Sequence, residues 1–334
     1  MVSSPSRASF FEPRLTFRRL ALLLALAALP AASARAGAPP APPAGLSADD
    51  QDAGLLSPTS ALLDACLDDY NSLRFDRAEA EARQAMALQP GHPLPCVYLQ
   101  AALCAEIEEQ GLAGFEDRAV LERFDRATHQ ALDLEAAWER ERGDAWGPVY
   151  LGNSLGARAL VSMYRGRLLR SYTDGRESAT ALRLAQKRVP GQPDADLGLG
   201  QYLYFCGRLS GVMRFFLVLH GDIPGGIARL KHCADAGCRS SVLAQVVLAR
   251  ILVEEEPDHE AALPYVQAVY GRFPLNWAYA KLAQEEALAL GLARPEALAL
   301  ALALRDQWRS GWRPPDYAHM DPSGLFQALD AAGK

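Results

Sequence analysis

Aromatic residues make up only 8% of this 334-residue chain. No His-Glu-x-x-His pair and no P-loop stands in it, so the spacings that hold a catalytic zinc ion or cradle a triphosphate are missing. The histidines His92, His129, His220, His232, His259 and His319 are scattered. His232 and Cys233 with Cys238 match no usual zinc spacing. The apolar run at residues 20–29 is about half the length a spanning helix needs. Cations are short as well: 34 Lys and Arg stand against 40 Asp and Glu, a formal charge of −6. No convergent polar site is visible, so the reading is of a non-enzyme, with no cofactor and no metal called for.

Residues 1–36 read as a secretory signal. Arg14, Arg18 and Arg19 form its basic region and residues 20–29 its apolar one. Ala32-Ser33-Ala34 and Ala34-Arg35-Ala36 both offer cleavage sites between small residues. The expected location is the bacterial periplasm or the outside, with no stable membrane span after cleavage. Residues 1–36 carry five Arg against Glu12, a net +4, so their removal takes the formal charge from −6 to −10. That balance argues against nucleic acid and against anionic membrane surfaces. Residues 37–57 hold the Ala38-Pro39-Pro40-Ala41-Pro42-Pro43 run and then Asp49-Asp50-Gln51-Asp52. They bury too little apolar area to order themselves and read as a disordered linker.

What is plentiful is Ala and Leu, both strong helix formers. Within residues 75–90, Ala78 and Ala85 stand seven apart and share one helix face. Small residues there admit a neighbouring helix closely. Leu88 is expected to supply an apolar contact at the helix end, and Pro90 stops the helix. This pattern resembles the second helix of a tetratricopeptide (TPR) repeat, a helix–turn–helix unit of about 34 residues that cannot bury its apolar face alone. The expected fold is therefore all-α: a TPR-like solenoid of helical hairpins in a right-handed superhelix, over residues 58–310.

Five to six helix pairs can be placed, several of them expanded. The first pairs residues 61–73 with 75–90, and the second pairs 93–109 with 115–140. The third opens at Ala145 with Leu151-Gly152, where the repeat favours Leu-Gly for close packing. Gly166 or Gly175 breaks it before residues 178–189. The fourth opens at Asp194, carries Leu199-Gly200, is interrupted by an insertion at 208–221, and closes with 227–236. Residues 242–253 with 259–270 form the fifth, and 276–290 with 295–308 the sixth. Residues 311–334 read as an irregular C-terminal strap or cap.

The run Asp194-Ala195-Asp196-Leu197-Gly198-Leu199-Gly200-Gln201-Tyr202 resembles a group of uncharacterised bacterial exported TPR proteins. So does Leu209-Ser210-Gly211-Val212 followed by the run from Gly221-Asp222-Ile223-Pro224-Gly225-Gly226 to Leu230. The resemblance covers roughly residues 60–300. It implies the fold and no particular reaction.

Of the six cysteines, Cys66, Cys96 and Cys104 lie in apolar helix patterns and read as small core residues. Cys206 stands alone. Cys233 and Cys238 flank a helix end around Gly237 and are the best candidate disulfide pair.

First helices of such arrays line a concave groove that binds peptides. Its positions here are Leu63 and Leu67, Val97 and Ala101, Val149 and Asn153, Leu197 and Gln201, Ala244 and Leu248. No Lys or Arg stands among them, which disfavours a carboxylate clamp. Asn153 and Gln201 can either bond a partner's backbone or satisfy local helix ends. The insertion carries Phe215 and Phe216 in an apolar run, either an exposed lip or a segment folded into the groove. Candidate partner-binding residues are thus Val149, Asn153, Leu197, Gln201, Tyr204, Phe215 and Phe216. Two functions fit: a scaffold for an unidentified protein or peptide partner, or a binding protein holding a small apolar ligand between groove and insertion.

Overall fold

The computed structural model describes residues 53–110, 114, 116–209, 220–312 and 322–332, and all regular structure among them is helical. Six hairpins follow one another. They are α1 (Ser57–Asn71) with α2 (Phe75–Leu88), α3 (Pro93–Glu109) with α4 (Arg118–Glu141), and α5 (Trp146–Tyr164) with α6 (Leu168–Arg188). Then come α7 (Pro193–Arg208) with α8 (Ile223–Asp235), α9 (Ser241–Arg250) with α10 (His259–Arg272), and α11 (Trp277–Leu290) with α12 (Pro295–Arg309). A π-helical turn, Ile251–Glu255, extends α9, and α13 (Ser323–Ala331) closes the chain.

The starts are written locally. Pro occupies the first turn of α1, α3, α7, α8 and α12, where its missing N–H costs nothing. Asp117, Asp222, Asp258 and Asn276 each accept a backbone N–H of the helix they open.

Each helix packs on the next, and α1, α3, α5 and α7 also pack each on the one two further on. The two sets differ in kind. α3, α5 and α9 are buried on nearly every side, whereas α2 buries only the stripe Ala78, Ala82 and Ala85. The core therefore runs along the odd-numbered helices, and the even-numbered ones are amphipathic covers. Glycines set the closest approaches. A Cβ on Gly152 would lie 2.5 Å from Leu182, and one on Gly200 would lie 2.8 Å from Leu230 and 2.9 Å from the Gly226 carbonyl oxygen. The Leu-Gly pairs thus work as the sequence suggests.

The structure refines four expectations. Gly166, with positive φ, ends α5, and α6 runs through Gly175 without a break. Leu88 is half exposed rather than a helix-end contact, because α3 turns away at Gly91-His92. The linker is docked at its end: Ala53 and Leu55 are buried, and the Ala53 carbonyl lies 2.8 Å from Nε2 of His92. The C-terminal strap contains a helix, α13, because Leu325 and Leu329 stand four apart and both bury fully against the last pair.

Candidate functional site

The positions that would line a groove all sit on odd-numbered helices, and every one is buried. Leu63, Leu67, Val97, Ala101, Val149, Asn153, Leu197, Gln201, Ala244 and Leu248 are each at most 3% exposed. Tyr204, one turn beyond Gln201, is fully buried as well. Phe215 and Phe216 lie outside the described residues, as does the rest of 210–219.

The late helices also bond back to the first ones. Arg239, in the turn before α9, donates to the Ser60 hydroxyl at 2.6 Å and to the Tyr98 hydroxyl at 3.3 Å, on α1 and α3. Arg272 at the end of α10 pairs with Asp68 at 2.7 Å. Asn276 donates to the Asn71 carbonyl at 2.9 Å, and the Tyr279 hydroxyl donates to Asn71 Oδ1 at 2.7 Å. The Trp277 indole donates to Glu109 at 2.5 Å. The ends of the array are held together.

Asn153 and Gln201 occupy matching positions on α5 and α7, and each is 1% exposed. Neither amide makes a hydrogen bond, and the hydroxyls of Tyr150 and Tyr204, one turn away on the same helix faces, have no partner either. An unpaired buried polar group costs about 1–3 kcal/mol. Both amides are sealed from solvent. They satisfy no helix end.

One pattern that sequence reading passed over is Gly152-Asn153-Ser154-Leu155-Gly156, a Gly-x-Ser-x-Gly match. In hydrolases that spacing works at a strand-to-helix turn that exposes the serine. Here it lies in the middle of α5, Ser154 is fully buried, and its hydroxyl donates to Glu135 at 2.5 Å. Burial pushes the Glu135 carboxyl up to about 8, opposed by that hydrogen bond and by the nearby Arg158 charge. The pair is a buried strut.

Cys233 and Cys238 have their sulfurs 3.7 Å apart, both buried and both free thiols. His232 does not join them: its Nδ1 lies 2.7 Å from Oδ2 of Asp196, which Arg229 also binds. Asp222, beside His220, accepts the Gly225 N–H at 3.0 Å as the cap of α8. Glu254, Glu255 and Glu256 are ion-paired, the first with Lys281 and the other two with Arg208.

Compared with family models, with curated proteins and with solved structures, the chain matches none. Among the described residues no helix is long and apolar enough to cross a membrane.

Proposed function

We propose that the chain is a non-enzymatic scaffold for protein–protein contacts in the bacterial periplasm, built as a TPR-like solenoid whose right-handed superhelix is drawn closed on itself. The Leu-Gly places in α5 and α7, and the alternation of wholly buried with amphipathic helices, support the repeat reading. One observation carries the function. The faces a TPR array normally offers to a peptide are buried here, and Arg239, Asn276 and Tyr279 bond across to α1 and α3. The surface left for partners is the outer one, on the even-numbered helices.

The test is photo-crosslinking in the native envelope. A photoreactive residue replaces one exposed side chain at a time on α2, α4, α6, α8, α10 and α12. Discrete adducts with a defined neighbour are expected from at least one outer helix. A full set of positions that yields no adduct, with the protein folded and exported, would overturn the scaffold reading.

A further inference from the structure

We infer that the outward face of α6 is the docking surface, and that its partner is a protein segment rich in Asp and Glu with one or two bulky apolar side chains. The inference rests on the scaffold reading above and gives it a surface and a partner chemistry.

Two independent observations converge on this helix. The first is apolar exposure. Eight large hydrophobic side chains are exposed among the described residues, and four of them, Leu168, Leu169, Leu184 and Val189, belong to α6 or its C-cap. Leu169 is 77% exposed, the most of the eight. They stand as two pairs, Leu168 with Leu169 at the start of the helix and Leu184 with Val189 at its end, and apolar side chains set together among charges mark interaction sites more than single scattered ones do. The second is charge. Residues 158–188 carry eight Arg and Lys against only Asp174 and Glu177, a net +6 within a chain of −6. The remainder of the chain is therefore at −12, so this concentration is no by-product of a basic protein.

The acids within the segment do not use up its cations. Asp174 is buried and already held by Arg158 at 2.7 Å, with Arg170 at 3.6 Å. Arg167, Arg176, Arg183 and Lys187 pair with no carboxylate among the described residues, and all four are exposed. Leu169, Thr173, Arg176, Glu177, Thr180, Arg183, Leu184 and Lys187 recur at helical spacing and form one outward stripe, in which three cations stand against one acid. At about 1.5 Å per residue, α6 presents this stripe over roughly 30 Å. At its start lies an open depression of about 800 Å³, lined by Arg158, Arg167, Leu168, Leu169, Arg170 and Thr173 among others.

Charge complementarity selects an acidic occupant, and shape selects a protein over a bilayer. A depression admits a protruding side chain, which a flat lipid surface lacks. The stripe contains no Trp or Phe to seat at a lipid interface. The −12 carried by the rest of the chain would be repelled by an anionic bilayer and is no obstacle to a narrow acidic segment.

The experiment uses the mature chain and a fluorescein-labelled helical peptide that alternates Glu with Leu pairs, followed by anisotropy at low and at physiological salt. A matched peptide with Lys in place of Glu is the control. Binding of the Glu peptide is expected, weakening as salt rises, with no binding of the Lys peptide. The combined change Arg167→Glu, Arg176→Glu and Arg183→Glu should weaken it at least about tenfold, and Leu168→Ser with Leu169→Ser should weaken it too. These side chains are exposed, and an unchanged melting temperature verifies that the variants fold. Equal binding of both peptides, or equal binding by wild type and variants, overturns the inference. So does capture of phosphatidylglycerol vesicles without the peptide, or self-association through the same face. In the envelope crosslinking, adducts from other outer helices and none from Thr180 would sink the α6 assignment and leave the scaffold reading standing. No adduct from any helix would sink the scaffold reading itself.

Discussion

Arg239 donates to the hydroxyl of Ser60 at 2.6 Å across 179 residues of sequence. The two ends of a repeat array do not ordinarily meet, since each unit contacts only its neighbours. Here a 2% exposed guanidinium ties the turn before α9 to α1, with Tyr98 of α3 beside it and the Asp64 carboxylate 3.5 Å away. This contact, with Asn276 on Asn71, bridges the late helices to the first ones.

Replacing Arg239 by Ala should therefore loosen the ends of the array more than its middle. Each hydrogen bond to a charged group is worth about 1.5–3 kcal/mol. The melting temperature should fall, and hydrogen exchange should quicken in α1 and α9 before it does in α5. A uniform rise in exchange along the whole chain would argue against a closing role.

Gly200 and Gly226 face each other where α7 meets α8. A Cβ on Gly226 would lie 2.7 Å from the Gly200 carbonyl oxygen and 2.8 Å from the Tyr204 nitrogen. These are backbone atoms that cannot swing aside. Gly226→Ala and Gly200→Ala should each destabilise the fold by about 1–3 kcal/mol through overpacking, read as a lower denaturation midpoint in urea. Gly175, inside α6 with open space around it, is the control: Gly175→Ala should stabilise slightly.

Much of the fold is legible because its signals are local. Pro93 opens α3 and Glu109 closes it as expected, and Leu199-Gly200 marks a close helix approach from its spacing alone. Gly166 and Gly175 could not be ranked from sequence, since both are glycines between helical patterns. The positive φ at Gly166 separates them. Closure was not legible at all. Nothing in the local pattern around Arg239 points to Ser60, and long-range contacts of that kind leave no periodicity to read. The groove positions were placed on the inner helices by their register. Whether that face was open or sealed depended on contacts between residues 179 to 208 positions apart.

Two buried groups give stability a dependence on pH from opposite sides. Burial lowers His92 to about 4 from its ordinary 6.5, against the hydrogen bond to the Ala53 carbonyl that raises it. The fold thus holds His92 neutral, and stability is lost as pH falls from 6.5 toward 4. Glu135 is raised to about 8 from 4.5, so the fold holds it protonated. The stability tied to that proton is complete below pH 4.5 and is lost as pH rises through 8. Glu135→Gln should flatten a plot of melting temperature against pH between 4.5 and about 8 and leave it unchanged below 4.5. An unchanged slope over that interval would mean that Glu135 ionises freely in the fold.

Cys233 and Cys238 supply the last prediction. Their sulfurs stand 3.7 Å apart, against about 2.05 Å in a disulfide, and four residues lie between them, from the end of α8 into the turn before α9. The Ser241 hydroxyl bonds the Cys233 carbonyl at 2.7 Å and holds that turn. Burial pushes the Cys233 thiol well above its usual range, so thiolate is scarce and exchange should be slow. Oxidised glutathione should nonetheless close the bond: two thiols lose two electrons and two protons, the mass falls by two hydrogens, and a non-reduced digest links the two peptides. A loop this short should add only about 2 kcal/mol of stability on the chain-entropy model. Cys233→Ser should abolish the link and leave five thiols, those of Cys66, Cys96, Cys104, Cys206 and Cys238, free in denaturant. A mixed disulfide with glutathione, or no change in mass, would show that the turn cannot bring the sulfurs the remaining distance.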